Sequence, residues 1–153
     1  MKKPRKPTIK DNYIREVNVN YRTTTENRIT IKESQDVANF VRSVLTDNSR
    51  EHAIALYLDG SHHIASYSII SIGGANTAPF APRETFQRAV IVGAVSIILA
   101  HNHPSGSLTP SAEDISLTKR MKEAGNIIGI AVLDHLIVSD IGFVSMRDDT
   151  SIF

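Results

Sequence analysis

From Ser96 to Asp114 the chain reads SIILAHNHPSGSLTPSAED. An apolar run ends in two histidines one residue apart, a Pro-Ser-Gly turn follows, and a helix start carrying a carboxylate closes the stretch. This order predicts a buried strand, a tight loop and a capped helix. Residues i and i+2 of a strand face the same way, so His101 and His103 can share one ligand while Asn102 points away. The Pro104-Ser105-Gly106 turn can fold the next helix back towards them, with Pro110 in its first turn and Glu113 and Asp114 favoured by the positive end of the helix dipole. His101, His103 and Asp114 then converge at one end of a sheet and leave a coordination position open.

The chain has no cysteine, so any metal there is held by histidine, carboxylate and water. Two imidazoles and one carboxylate suit a catalytic Zn2+, one per chain, which typically has three protein ligands and a water. Zinc lowers the pKa of its water to ~7 and polarises a carbonyl, and the chemistry then needs a base to carry the water's proton to the leaving group. Glu51, Glu84 and Glu113 are the candidates. Neighbouring helical residues diverge by about 100°, which turns Glu113 away from Asp114. Ser111, three residues before Asp114, can cap the helix, donate to a developing oxyanion, or do both. A nucleobase deaminase shares zinc-water chemistry, but the HxE…PCxxC pattern is missing here.

Around this stretch the 153 residues read as a flexible basic arm over 1–12 and a single domain over 13–153. The arm carries Lys2, Lys3, Arg5, Lys6 and Lys10 interleaved with Pro4 and Pro7, and its sharper reading is a weak contact with nucleic acid or an acidic partner. Net charge is only +1, the longest apolar stretch (Ala89 to Ala100) is short of the roughly 20 residues that span a bilayer, and the lack of cysteine fits a reducing compartment. The expectation is a soluble cytoplasmic protein.

Periodicity predicts strands over 13–21, 51–58, 64–72, 96–100, 127–133, 136–138 and 143–145, with a turn at Thr23–Asn27. Helices are expected from Ser34, as N-cap, to about Asp47, from Pro82 with Phe86, Ala89, Val90 and Gly93 inward, and from Thr109-Pro110-Ser111 to a C-cap at Gly125. Ile115, Thr118 and Met121 form the inward stripe of the last. Two strand-helix-strand passages make this an α/β or α+β sandwich with a mixed sheet flanked by helices. His62 and His63 read as exposed turn residues, Arg83 with Glu84 as a structural pair, and His135 beside Asp134 as a hydrogen-bonded structural histidine with a supporting role at the site as the alternative.

The run His101-Asn-His103, seven residues, Ser111, two residues, Asp114 resembles the HxH(x)7Sx2D signature of the JAMM metalloproteases, or MPN+/JAB domains. HNHPSG, PSAED, DHLIV and Pro82-Arg83-Glu84 resemble the RadC-like branch, and the likeness runs from about residue 13 to the C-terminus. It implies the JAB/MPN, cytidine-deaminase-like three-layer sandwich, zinc on His101, His103 and Asp114, oxyanion stabilisation by Ser111, and Glu51 as general base at the start of the first core strand. It implies hydrolysis of an amide bond in a peptide or protein. The alternative is a non-enzymatic, zinc-containing accessory protein in DNA repair, recombination or mobile-element biology. Full-length RadC proteins look like a helix-hairpin-helix segment followed by this domain, and the residues before Tyr13 are too few for one. DNA association is therefore expected to lack a dedicated module in this chain.

Overall fold

Two strands, β1 (His52–Leu58) and β3 (Ser96–Asn102), are buried at all seven of their positions. That pattern requires cover on both faces of a sheet. The computed structural model, which describes residues 16–18, 20, 22, 27–73 and 80–153, supplies it with helices on either side. Odd-numbered Ala53, Ala55, Tyr57, Ile97 and Leu99 pack with α2 (Pro82–Ile91) and α3 (Ala112–Ile128) through Phe86, Ala89, Leu117 and Met121. Even-numbered Ile54, Leu56, Leu58, Ile98 and Ala100 pack with α1 (Ser34–Val44) through Val37, Ala38 and Val41. The result is a three-layer α+β sandwich, the architecture that the resemblance implies.

The remaining strands are β2 (Ile64–Ile72), β4 (Ala131–Val138) and β5 (Phe143–Ser145), followed by a short α4 (Met146–Asp149). Sheet order is β2-β1-β3-β4-β5. Among the described residues only β3 and β4 run parallel, and such a pair needs a long crossover, which α3 provides. Ile97 and Leu99 thus lead to His101 at the centre of the sheet, paired with Ala53 on one side and Ile137 on the other.

Several boundaries differ from expectation for identifiable reasons. Glu33, not Ser34, is the N-cap of α1, its N–H and that of Lys32 donating to Asp36 Oδ2 at 3.1 and 2.8 Å. Ser34 is the first helical residue and donates to Asp148 Oδ2 at 2.5 Å. The helix stops at Val44, short of Asp47. Pro110 lies just outside α3, whose N-cap is Ser111. In α2, Val90 faces outward, and Thr85, Phe86 and Ala89 make the buried stripe. In α3 that stripe is Asp114, Leu117, Thr118, Met121 and Gly125, with Ile115 only half-buried.

Gly125 does not end α3. The cap is Gly129, in the left-handed region at φ 83°, and Ile127 and Ile128 are exposed helical residues, not the start of a strand. Gly125 is needed for a different reason, since a Cβ there would lie 2.4 Å from the Ile130 carbonyl oxygen. The chain folds back so closely that the N–H groups of Gly129 and Ile130 both reach the Gly125 carbonyl, at 2.8 and 3.0 Å. β4 then runs unbroken through Asp134 and His135 because both buried polar side chains find partners. The basic arm, most of the expected 13–21 strand and most of the turn after it lie outside the described residues. Among those described, no helix is long and apolar enough to cross a membrane.

Candidate metal centre

His101 stands on the α3 side of β3 and is fully buried. His103 follows the strand end, where its Nδ1 meets the Ser107 carbonyl at 2.9 Å and its own carbonyl accepts from Gly106 N at 2.9 Å. Gly106 takes φ 77°, a conformation that lets the loop reverse. The reversal delivers α3 with a reciprocal cap: Ser111 Oγ accepts from Asp114 N at 3.0 Å, and Asp114 Oδ2 accepts from Ser111 N at 2.8 Å. The capping carboxylate thereby faces the histidines, at 3.3 Å from His101 Nε2 and 3.6 Å from His103 Nε2. The two Nε2 atoms are 2.9 Å apart, and each of the three residues offers a ligand atom within 4.8 Å of the others.

The donor set fits a divalent first-row ion. A carbonyl only accepts, so the Ser107 contact puts the His103 proton on Nδ1 and leaves Nε2 directed into the cluster. Burial pushes the Asp114 carboxyl up, but the two histidine rings and the Ser111 N–H outweigh it and hold the group well below the usual carboxylate range. The contact with Asp114 raises the His103 pKa against a smaller opposing effect of burial, and Glu51 adds to the rise. Burial first, and then the neighbouring His101, push His135 well below the usual imidazole range.

These shifts set the pH dependence of the metal-free protein. Asp114's lowered pKa gives stability that is present above the ordinary carboxylate pKa and lost as pH falls. His103's raised pKa gives stability that is complete below the ordinary imidazole pKa and lost as pH rises through its folded value. His135's lowered pKa gives stability that is present above the ordinary imidazole pKa and lost as pH falls, so melting temperature without metal is expected to rise to a maximum near about pH 6.5 and to decline towards pH 8 as His103 loses its proton. A steady rise over pH 6 to 8 would contradict this origin.

Glu51 immediately precedes β1 and is half-buried. Continuing the antiparallel register from Ala53↔His101 sets it opposite His103, with the parity of the α3 face. Asn102, on the other face, clamps the backbone on both sides of it: Oδ1 accepts from His52 N at 2.7 Å and Nδ2 donates to Arg50 O at 3.0 Å. Ser111 is exposed, and its cap uses the oxygen as acceptor while leaving the hydroxyl proton to donate. Glu84 and Glu113 are exposed, and Glu84 pairs at 3.8 Å with Arg88 instead of Arg83. His62 is exposed, and His63 bonds Asp59 Oδ2 at 3.1 Å.

His135, which the sequence marks mainly as a structural histidine, adjoins the cluster. It is fully buried, with Nε2 2.8 Å from His101 Nδ1 and Nδ1 2.6 Å from Thr118 Oγ1. The available signal was two adjacent polar residues inside the apolar run LDHLIV, which must face opposite layers. Asp134 serves the opposite layer, accepting from Ser145 Oγ at 2.6 Å and Arg147 N at 3.0 Å.

Comparison with known proteins agrees with the fold. The model of the RadC-like JAB domain matches residues 31–151. A UPF0758 protein of Desulforamulus reducens is 48% identical over 122 residues, 80% of this chain and 54% of the relative. One from Alkaliphilus oremlandii is 45% identical over 126 residues (82% and 54%), and one from Carboxydothermus hydrogenoformans is 40% identical over 127 (83% and 56%). The chain spans about half the length of these relatives.

Proposed function

The chain belongs to the RadC-like JAB domain family, and from that premise we propose that it is a zinc-dependent hydrolase of the JAMM class acting on peptide or isopeptide bonds. The observation that carries the reading is the convergence of His101, His103 and Asp114, with Glu51 opposite His103 by strand register. The three ligands would hold the ion. When bound, zinc supplies a Lewis acid that polarises a carbonyl and brings the pKa of a coordinated water to ~7.

The protein's own groups complete the reaction. The Glu51 carboxylate accepts a proton from the attacking water and passes it to the departing amine. The Ser111 hydroxyl, whose proton the helix cap does not use, donates to the oxyanion as the carbonyl becomes tetrahedral. Asp114 stays ionised through the cycle because the Ser111 N–H donates to its carboxylate and a bound cation would favour its charge. In this reading a substrate segment adds to the outer strand β2, where Tyr67, Ile69 and Ile72 are partly exposed.

The test is metal analysis of the purified protein followed by chelation. One equivalent of zinc is expected, its removal should lower the melting temperature and end cleavage of a peptide library, and added zinc should restore both. If no metal co-purifies and added zinc leaves the melt unmoved, the reading is wrong.

A further inference from the structure

The protons around His135 can be assigned by elimination. Thr118, fully buried, has one hydroxyl hydrogen and three neighbours: the Asp114 carbonyl at 2.7 Å, His135 Nδ1 at 2.6 Å and Met146 Sδ at 3.3 Å. The carbonyl can only accept, and thioether sulfur is a weak acceptor, so the hydrogen lies on the line to Asp114 O. Thr118 Oγ1 must then accept from His135 Nδ1. The two nitrogens of His135 meet a hydroxyl and another imidazole, not a carboxylate, so a second proton would leave a buried cation without a hydrogen-bonded counter-charge. Its Nε2 is therefore bare and accepts from His101 Nδ1.

We propose that His135 and Thr118 are positioning residues that fix His101 in the tautomer with its proton on Nδ1, presenting a bare Nε2 to the metal, and that they tie this ligand on β3 to the backbone of Asp114 on α3. The inference rests on the reading of the centre as a zinc site. It also resolves the 2.9 Å contact between His101 Nε2 and His103 Nε2. With both Nδ1 positions protonated, by His135 and by Ser107 O, neither neutral ring can donate across that gap. Two lone pairs facing each other beside a carboxylate call for a positive charge between them, which a metal ion would supply and which, in the metal-free protein, a second proton on His103 would supply. Ligand histidines commonly donate their other N–H to a carboxylate, carbonyl or water. Here a second imidazole takes that part, and its orientation is set in turn by the helix that carries the third ligand.

Long-range proton-nitrogen NMR of the metal-free protein, with histidine nitrogens labelled, reads the tautomer directly. The expected result is a proton on His101 Nδ1 and a bare Nε2 in the wild-type chain, with Nε2 becoming protonated in His135→Leu. Zinc affinity, measured by competition with a chromogenic chelator, should fall about 10- to 100-fold in His135→Leu. It should return to within about threefold in His135→Gln, whose Oε1 reaches the place of the ring Nε2; loss of packing alone would not be repaired this way. A wild-type His101 protonated on Nε2, or a His135→Leu protein with wild-type affinity, overturns the proposal. If the wild-type chain binds no zinc, the metal reading fails while the NMR arm still decides the tautomer. If His135→Leu does not fold, the wild-type spectrum and His135→Gln decide.

Discussion

Glu51→Gln is expected to bind zinc as tightly as the wild-type protein and to cleave its substrate about 100- to 10,000-fold more slowly, the usual contribution of a positioned general base. The substitution keeps size and shape and removes only the ability to take a proton. Position should be retained, because the backbone around residue 51 is held by Asn102 at Arg50 O and His52 N and by the bond from Gly73 N to Glu51 O at 2.7 Å. Zinc affinity should not fall, because Glu51 is one of the groups that favour protonation of His103, and that proton competes with the metal. Zinc titration and progress curves on one preparation check both halves. A variant that keeps its metal and its rate would remove Glu51 as the base. Biological function unchanged in a hydrolytically dead variant would favour the non-enzymatic reading instead.

The centre was legible because its determinants are local. His101 and His103 share a face by strand parity, and Asp114 is three residues from the N-cap that orients it, so one stretch of nineteen residues specifies the cluster. The supporting groups were harder to see because they depend on strand order. Leu99 pairs with His135 only when β3 and β4 lie side by side in parallel, and no spacing within the chain announces that pairing. Asn102 is a similar case. Its direction away from the ligands followed from parity, but the backbone that it clamps belongs to β1, fifty residues earlier.

The misread helix ends have the same cause. Gly125 and Gly129 both look like stops, and local propensity favours the first because Ile127 and Ile128 resemble the start of a strand. What decides is the approach of the Ile130 carbonyl to Gly125, a contact made only after β4 has docked. Val90 continues the spacing of Phe86 and Ala89 and so reads as inward, whereas the buried face of α2 runs through Thr85. Apolar identity gives the period, and the neighbouring layer determines how wide the buried stripe is.

Asp114→Asn is expected to abolish zinc binding at micromolar concentrations and, with it, the thermal shift on adding zinc. With zinc at 1,000 times the dissociation constant, ligation stabilises the fold by about 4 kcal/mol; a 1,000-fold weaker site under the same conditions retains about 0.4 kcal/mol. A loss of that size exceeds the 10- to 100-fold expected for an outer partner such as His135, because the anionic ligand itself is removed. The variant separates this role from helix capping. An Asn amide oxygen can still accept from Ser111 N, and Ser111 Oγ can still accept from residue 114 N, so the reciprocal cap survives. The metal-free variant should still melt somewhat below the metal-free wild type at neutral pH, since the interactions that favour the carboxylate outweigh the cost of burying it, so zinc titration rather than the metal-free melt reports on ligation. The decline in metal-free stability above about pH 6.5 should flatten in the variant, because contact with the carboxylate is the main cause of the raised His103 pKa. An Asn variant that still purifies with one zinc would mean that Asp114 is a cap and not a ligand, and the centre would then have to be rebuilt around the two histidines alone.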